Sequence, residues 1–137
     1  MTARTETTLD DDSPQAAGPA ALARSAAEAI RSLNHATLGQ DGLGQPADAY
    51  EVLGELSLAA SRLPQLLGQI GRWLAAALAA GRLGCDDGTD PAAAVSGAWT
   101  LICSARGSAA ALAGNLSQAQ QQLAPVNGRP SRKDPLS

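Results

Sequence analysis

The sequence predicts an all-α fold in which two long helices, about residues 46–83 and 91–123, form an antiparallel hairpin. A shorter N-terminal helix, about residues 19–38, packs on that hairpin to complete a three-helix bundle. Alanine and leucine supply most of the 45% hydrophobic content, aromatic residues are 2% of the chain, and phenylalanine is absent. Such a composition favours helices over strands. Local start and stop signals and a heptad spacing of apolar residues support the same fold class.

The first predicted helix begins at Pro19, since proline fits the first helical position after Gly18. Its apolar residues recur on one face: Leu22, Ala26, Ala29, Leu33 and Ala36, with Ile30 beside them. The following stretch "GQDGLGQ", residues 39–45, contains three glycines and interrupts the pattern. We therefore expect a loop between the first and second helices.

The second predicted helix begins at Pro46, with Asp48 and Glu51 near its positive end. Apolar residues then alternate at spacings of three and four, which predicts a packed seam: Leu53, Leu56, Ala60, Leu63, Leu67, Ile70, Leu74 and Ala77. Pro64 lies just outside this seam. Because proline has no N–H for the carbonyl of Ala60, we expect the helix to bend there.

The third predicted helix begins at Pro91, with Asp90 as its N-cap, and ends before Pro125. It repeats the heptad rhythm: Val95, Ala98, Ile102, Ala105, Ala109, Leu112, Leu116, Ala119 and Leu123. The short connection "GCDDGT" predicts that the two long helices are antiparallel neighbours. Folding them about Asp87 places Trp99 near the level of Ala75.

The most apolar stretch, "RLPQLLGQIGRWLAAALAAGRLG" at 62–84, is expected to pack against another helix of the chain. Arginines and glutamines interrupt it, and its apolar part "WLAAALAA" is shorter than the about 20 residues of a membrane span. The N-terminal "MTARTETTLDDDSP" is polar and acidic, so we expect neither a signal peptide nor a transit peptide there. Cys85 and Cys103 have no metal-ligand spacing, so we expect reduced thiols in a cytoplasmic protein.

Charge is distributed unevenly around a formal net charge of −3. Residues 1–18 are predicted to be a disordered acidic tail, residues 19–124 the helical domain, and residues 125–137 a disordered basic tail. An acidic protein without a basic stripe lacks the electrostatic footprint of a nucleic-acid-binding protein.

No constellation of side chains predicts a catalytic, cofactor or metal site. His35 is the only histidine, and no serine or cysteine with a supporting acid accompanies it. Asp86, Asp87 and Asp90 lack the alternating ligands of an EF-hand loop, and a turn with an N-cap explains them. The sequence therefore predicts a protein that is not an enzyme and that needs no cofactor or small-molecule substrate.

A flank beside the seam is the predicted partner interface. It combines small residues with one large aromatic side chain: Pro64, Gly71, Leu78, Trp99, Arg106 and Ala113. An exposed aromatic side chain in such a groove can anchor a second copy or another protein. The alternative is that Trp99 completes the core of the monomer. The opposite flank, which carries Leu66 and Trp73, is expected to lie under the first helix.

The segment "DAYEVLGELSLAASRLPQLLGQIGRWL", residues 48–74, resembles a segment of small uncharacterised helical proteins of Streptomyces-type actinobacteria, some linked to plasmid-transfer and integrative elements. Nine arginines against one lysine fit a GC-rich genome of that kind. The resemblance covers about half of the chain and implies no known activity.

We therefore expect a non-enzymatic interaction or scaffold protein that self-associates as a homodimer or larger. The alternative function is an accessory factor of a mobile element that binds nucleic acid through the basic tail, with Arg129, Arg132 and Lys133.

Overall fold

The structure, a computed structural model, describes residues 17–39 and 41–130. Three helices follow one another along the chain, α1 (Pro19–Ala36), α2 (Pro46–Ala79) and α3 (Pro91–Leu123), and the described residues contain no strand. The predicted all-α class, with a short first helix before two long ones, is confirmed. The chain divides into two compact units, Met1–Gly44 and Gln45–Ser137. We describe α1 and the hairpin of α2 and α3 separately, and the packing of α1 on the hairpin stays a prediction.

Helix α1 begins at Pro19, as predicted, and ends at Ala36, two residues earlier than expected. Thr37 is its C-cap, and both the N–H and the hydroxyl of Thr37 donate to the Leu33 carbonyl, at 2.9 and 2.7 Å. No residue of α1 is buried. Leu22 and Ile30 on its apolar stripe are each about half exposed.

Helix α2 begins at Pro46, where the Gln45 N–H donates to the Asp48 carboxylate at 3.1 Å. Its predicted end at residue 83 is wrong by four residues. Gly81 adopts a left-handed φ of 72°, and the Arg82 N–H donates back to the Ala77 carbonyl at 2.9 Å. The Gly81 N–H also donates to the Leu78 carbonyl at 3.0 Å, which completes a Schellman motif. This motif satisfies the last carbonyls of the helix and turns the chain away.

Helix α3 has the predicted bounds, 91–123. The Asp90 carboxylate accepts the Ala92 N–H at 3.0 Å and caps the first turn. In the preceding loop the Asp87 carboxylate accepts both the N–H and the hydroxyl of Thr89, at 3.0 and 2.7 Å. Asp87 therefore stabilises the turn of this loop, and Asp90 caps the helix that follows.

The hairpin is antiparallel, and contacts at a spacing of seven residues define its register. The Gln120 side chain donates to the Tyr50 carbonyl at 3.0 Å, the Ser57 hydroxyl to the Ala113 carbonyl at 2.9 Å, and the Arg106 Nε to the Pro64 carbonyl at 3.0 Å. The Trp99 ring lies over Gly71. In each pair the two residue numbers sum to 170, so the turn is centred on Cys85. The predicted centre at Asp87 is wrong, because α2 ends one helical turn early. Trp99 faces Gly71 and not Ala75.

Of the seventeen predicted seam positions, twelve are buried or half-buried and five are exposed. On α2, Ala60 is buried and Leu53, Leu67 and Leu74 are half-buried, whereas Leu63 and Ile70 are 38% and 44% exposed. In place of these two, the contact line between the two helices includes Ser57, Pro64, Gly71 and Leu78. On α3 the seam positions Ala105, Leu112 and Ala119 are exposed, and Arg106, Ala113 and Gln120 take their place.

The physical reason for this rotation is close approach of the two backbones. Gly68 and Gly71 are buried on α2, and Ala109 is buried on α3. A glycine surface leaves room for the large side chains of the opposite helix, so Trp99 and Arg106 fill notches that a leucine ridge would have closed. Packing density therefore favours the small-residue side over the leucine side.

Among residues 17–39 and 41–130, no helix is both long and apolar enough to cross a lipid bilayer.

Candidate functional site

The structure brings all six residues of the predicted partner interface to one side of the hairpin, the Trp99 flank: Pro64, Gly71, Leu78, Trp99, Arg106 and Ala113. Most of them contact each other across the two helices. Arg106 donates to the Pro64 carbonyl, and the Trp99 ring covers Gly71. These contacts stabilise the hairpin itself, while Trp99 remains 39% exposed. Whether a partner binds on this flank stays a prediction.

The exposed side of Trp99 forms one wall of an open groove of about 360 Å³. We call it the Trp99 groove. It extends from Trp99 and Gly71 toward the interhelical loop, between Leu78 of α2 and Val95 of α3, and Arg72 lies at its edge. The lining is otherwise almost entirely aliphatic. The groove therefore offers an apolar trough with a cation at one edge.

The other side of the hairpin carries a second exposed apolar surface, which we call the apolar face. Its six large side chains are Leu63, Leu66, Ile70, Trp73, Leu101 and Leu112, and they are 38% to 71% exposed. Each one precedes, by one residue, a position on the contact line between the helices. Because the helices are antiparallel and each residue turns by about 100°, this common offset places all six side chains on the same side.

Trp73 is the most exposed aromatic side chain of the hairpin, at 57%. The Arg82 guanidinium lies 5.7 Å from the centroid of its ring, within the range of a cation–π interaction. This contact fixes the ring beside the Schellman turn that ends α2. The apolar face is thus bounded at its loop end by an arginine.

The sequence predicts two separate parts of this face. Leu63, Ile70 and Leu112 belong to the predicted packed seam, whereas Leu66 and Trp73 belong to the flank predicted to lie under the first helix. Leu101 belongs to neither prediction. The available signal was a second apolar heptad stripe on α2, displaced by one residue from the contact line.

The basic tail is described only in part. Arg129 lies in the segment after α3, where residues 126–130 form neither helix nor strand. Arg132 and Lys133 lie outside the described residues, as do most of the predicted acidic tail and residues 131–137. Nucleic-acid binding through Arg129, Arg132 and Lys133 stays a prediction.

The remaining titratable groups are dispersed. His35 lies exposed in the last turn of α1, and Cys85 and Cys103 are both free thiols. The hydrogen bonds from Thr89 hold the pKa of Asp87 below its ordinary value. Within the described ranges, no three histidine, cysteine, aspartate or glutamate side chains are grouped closely enough to hold a metal ion.

Comparison of the chain with protein-family models, with curated proteins and with solved structures gave no match. The resemblance of residues 48–74 to the actinobacterial proteins therefore stays a prediction.

Proposed function

We propose that this chain is a non-enzymatic helical interaction protein that self-associates through its apolar face. Two copies would place these faces together and form an antiparallel four-helix bundle, in which each hairpin supplies two helices. The observation that carries the proposal is the stripe of six exposed large apolar side chains on the two long helices, which the proposal assigns to a second copy and not to α1. A face of this kind suits a two-fold interface, because the same patch serves both copies.

The exposed area of the apolar face is large enough to support a dimer. The exposed fractions of its six side chains together equal about three fully exposed side chains. Burying a large apolar side chain contributes about 1.5–3 kcal/mol, so each copy gains on the order of 5–9 kcal/mol. If all six side chains become fully buried, two copies gain about 9–18 kcal/mol, which is comparable to the about 4–15 kcal/mol cost of association.

The polarity of the face also suits burial in a dimer. Its six large side chains contain one polar group, the Trp73 indole N–H. None of the six side chains is charged, so their burial in a dimer does not require the dehydration of a charge. The charged and amide side chains of the same part of α2, among them Arg62 and Gln69, lie exposed outside this stripe.

A cytoplasmic location belongs to the same proposal. The two free thiols support it.

Sedimentation equilibrium on the full chain tests self-association. We expect the wild type and Gln69→Glu to have twice the chain mass of 13.8 kDa, and Ile70→Glu to have the mass of one chain. Both substitutions add one negative charge to α2, but only Ile70 lies in the apolar face, so Gln69→Glu is the matched control. Circular dichroism verifies that each variant keeps its helices.

Trp99→Ala separates this proposal from an interface on the Trp99 flank. We expect this variant to remain dimeric. A wild type with the mass of one chain contradicts self-association. A dimer that survives Ile70→Glu and is lost in Trp99→Ala would place the interface on the Trp99 flank instead.

A further inference from the structure

The guanidinium groups of Arg72, which lines the Trp99 groove, and of Arg106, which does not line it, both reach Gly68, about one turn of α2 beyond the groove. Gly68 of α2 makes the space for them. Arg106 Nη2 and Arg72 Nη1 each lie 3.4 Å from the point that a Cβ on Gly68 would occupy, so the two nitrogens are at most 6.8 Å apart. Arg106 is held in place, because its Nε donates to the Pro64 carbonyl.

No carboxylate of the described residues lies within 4.0 Å of either guanidinium, and neither Nη group is hydrogen-bonded to another described residue. The charged residues of this region are also all positive. Residues 56–85 and 91–123 contain four arginines and no aspartate or glutamate. Two like charges at this distance repel each other, and a bound anion would relieve the repulsion. Guanidinium groups also match the geometry of a carboxylate, since each can donate two parallel hydrogen bonds.

The apolar groove next to this pair can accept the rest of such a molecule. Its volume of about 360 Å³ is near the lower end of the range for small-molecule sites, about 300–1,000 Å³. At roughly 30 Å³ for each non-hydrogen atom, about the volume of one water molecule in the liquid, it holds about a dozen such atoms. Trp99 forms its wall, and Leu78 and Val95 line it toward the loop.

From these observations we infer that the Trp99 flank is a binding site for a medium-chain fatty-acid anion. The carboxylate lies between Arg72 and Arg106, and the alkyl chain lies along the groove past Trp99 toward the loop. The inference is independent of the proposed self-association, because the groove and the apolar face are on opposite sides of the hairpin.

Isothermal titration calorimetry on the full chain tests this site with decanoate, which has twelve non-hydrogen atoms. We expect saturable binding of decanoate and no comparable binding of decanol, which has the chain without the charge, or of propionate, which has the charge without the chain. Arg72→Gln should weaken decanoate binding about tenfold or more, because it removes a charge-assisted hydrogen bond.

Arg62→Gln is the matched control, because Arg62 is an exposed arginine of the same helix outside the groove. We expect it to leave decanoate binding unchanged. The fluorescence of Trp99 in a Trp73→Phe background should change with the same saturation curve. The inference is overturned by an absence of saturation up to about 1 mM decanoate, a concentration that corresponds to weak binding. Equal losses in Arg72→Gln and Arg62→Gln, or equal binding of decanol, would also overturn it.

Discussion

Gly71 offers a sensitive test of the hairpin register, because the Trp99 ring occupies the space where a side chain would be. The three atoms nearest to a Cβ built on Gly71 all belong to that ring, and the least close of them, Cη2, is 3.2 Å away. Gly71→Ala therefore requires the indole to move. We expect this substitution to destabilise the hairpin, although alanine is the better helix former.

Two opposing terms set the magnitude. Replacing a helical glycine by alanine contributes about 1 kcal/mol of helix propensity. Forcing an extra carbon into a packed contact costs about 1–3 kcal/mol, and overlap with a rigid ring places this site at the upper end. The expected net result is a loss of about 1–2 kcal/mol in the free energy of unfolding. Gly107→Ala on α3 is the matched control. Nothing lies within 4 Å of its added Cβ, so we expect a gain of about 0.5–1 kcal/mol.

Urea denaturation followed by circular dichroism measures both free energies. In a Trp99→Ala background the overlap is gone, so Gly71→Ala should become stabilising, as Gly107→Ala is. This change of sign is the signature of direct contact between Gly71 and Trp99. If Gly71→Ala stabilises the wild-type chain as much as Gly107→Ala does, the antiparallel register that pairs the two residues is refuted.

Two further predictions concern the loop between the long helices. Gly81→Ala should lower the free energy of unfolding by about 1 kcal/mol, because the φ of 72° at this position is strained for alanine. Gly84→Ala, at a position without a positive φ, should change the free energy of unfolding little. Equal urea midpoints for the two variants would contradict the Schellman motif at the end of α2. The pKa of Asp87, followed by the chemical shift of its carboxyl carbon, should lie below its ordinary value of 3.8 and rise in Thr89→Val. Because folding lowers this pKa, its contribution to stability is present above about pH 4 and is lost as the pH falls through the folded-state value. An unchanged pKa in Thr89→Val would exclude the hydroxyl as the cause.

The parts of the fold that local chemistry determines could be predicted from the sequence. Asp90 and Pro91 define the start of α3 because an N-cap and a first-turn proline act within a few residues of each other. Pro19 and Pro46 start the other two helices, because proline fits the first helical position. The end of α2 could not be predicted in this way, because nothing in the sequence reveals that Gly81, and not Gly84, takes the left-handed conformation.

The rotation of the contact line depends on tertiary packing, so the heptad pattern of the sequence does not predict it. Helix α2 carries two apolar stripes displaced by one residue, and the spacing alone does not tell which of them faces α3. Hydrophobicity alone favours the leucine-rich stripe as the one that faces α3. The structure selects the stripe with Gly71 and Ser57, because it allows close approach and receives the large side chains of α3. The same selection turns Leu63 and Ile70 outward and creates the apolar face.

The emission of Trp73 tests most directly whether the apolar face binds a second copy. In a Trp99→Phe variant, Trp73 is the only tryptophan and lies in that face, 57% exposed in the single chain. We predict that its fluorescence shifts to shorter wavelength as the protein concentration rises, with the same midpoint as dimer formation, and that Ile70→Glu abolishes the shift. Emission that stays the same across the whole concentration range would contradict self-association through this face.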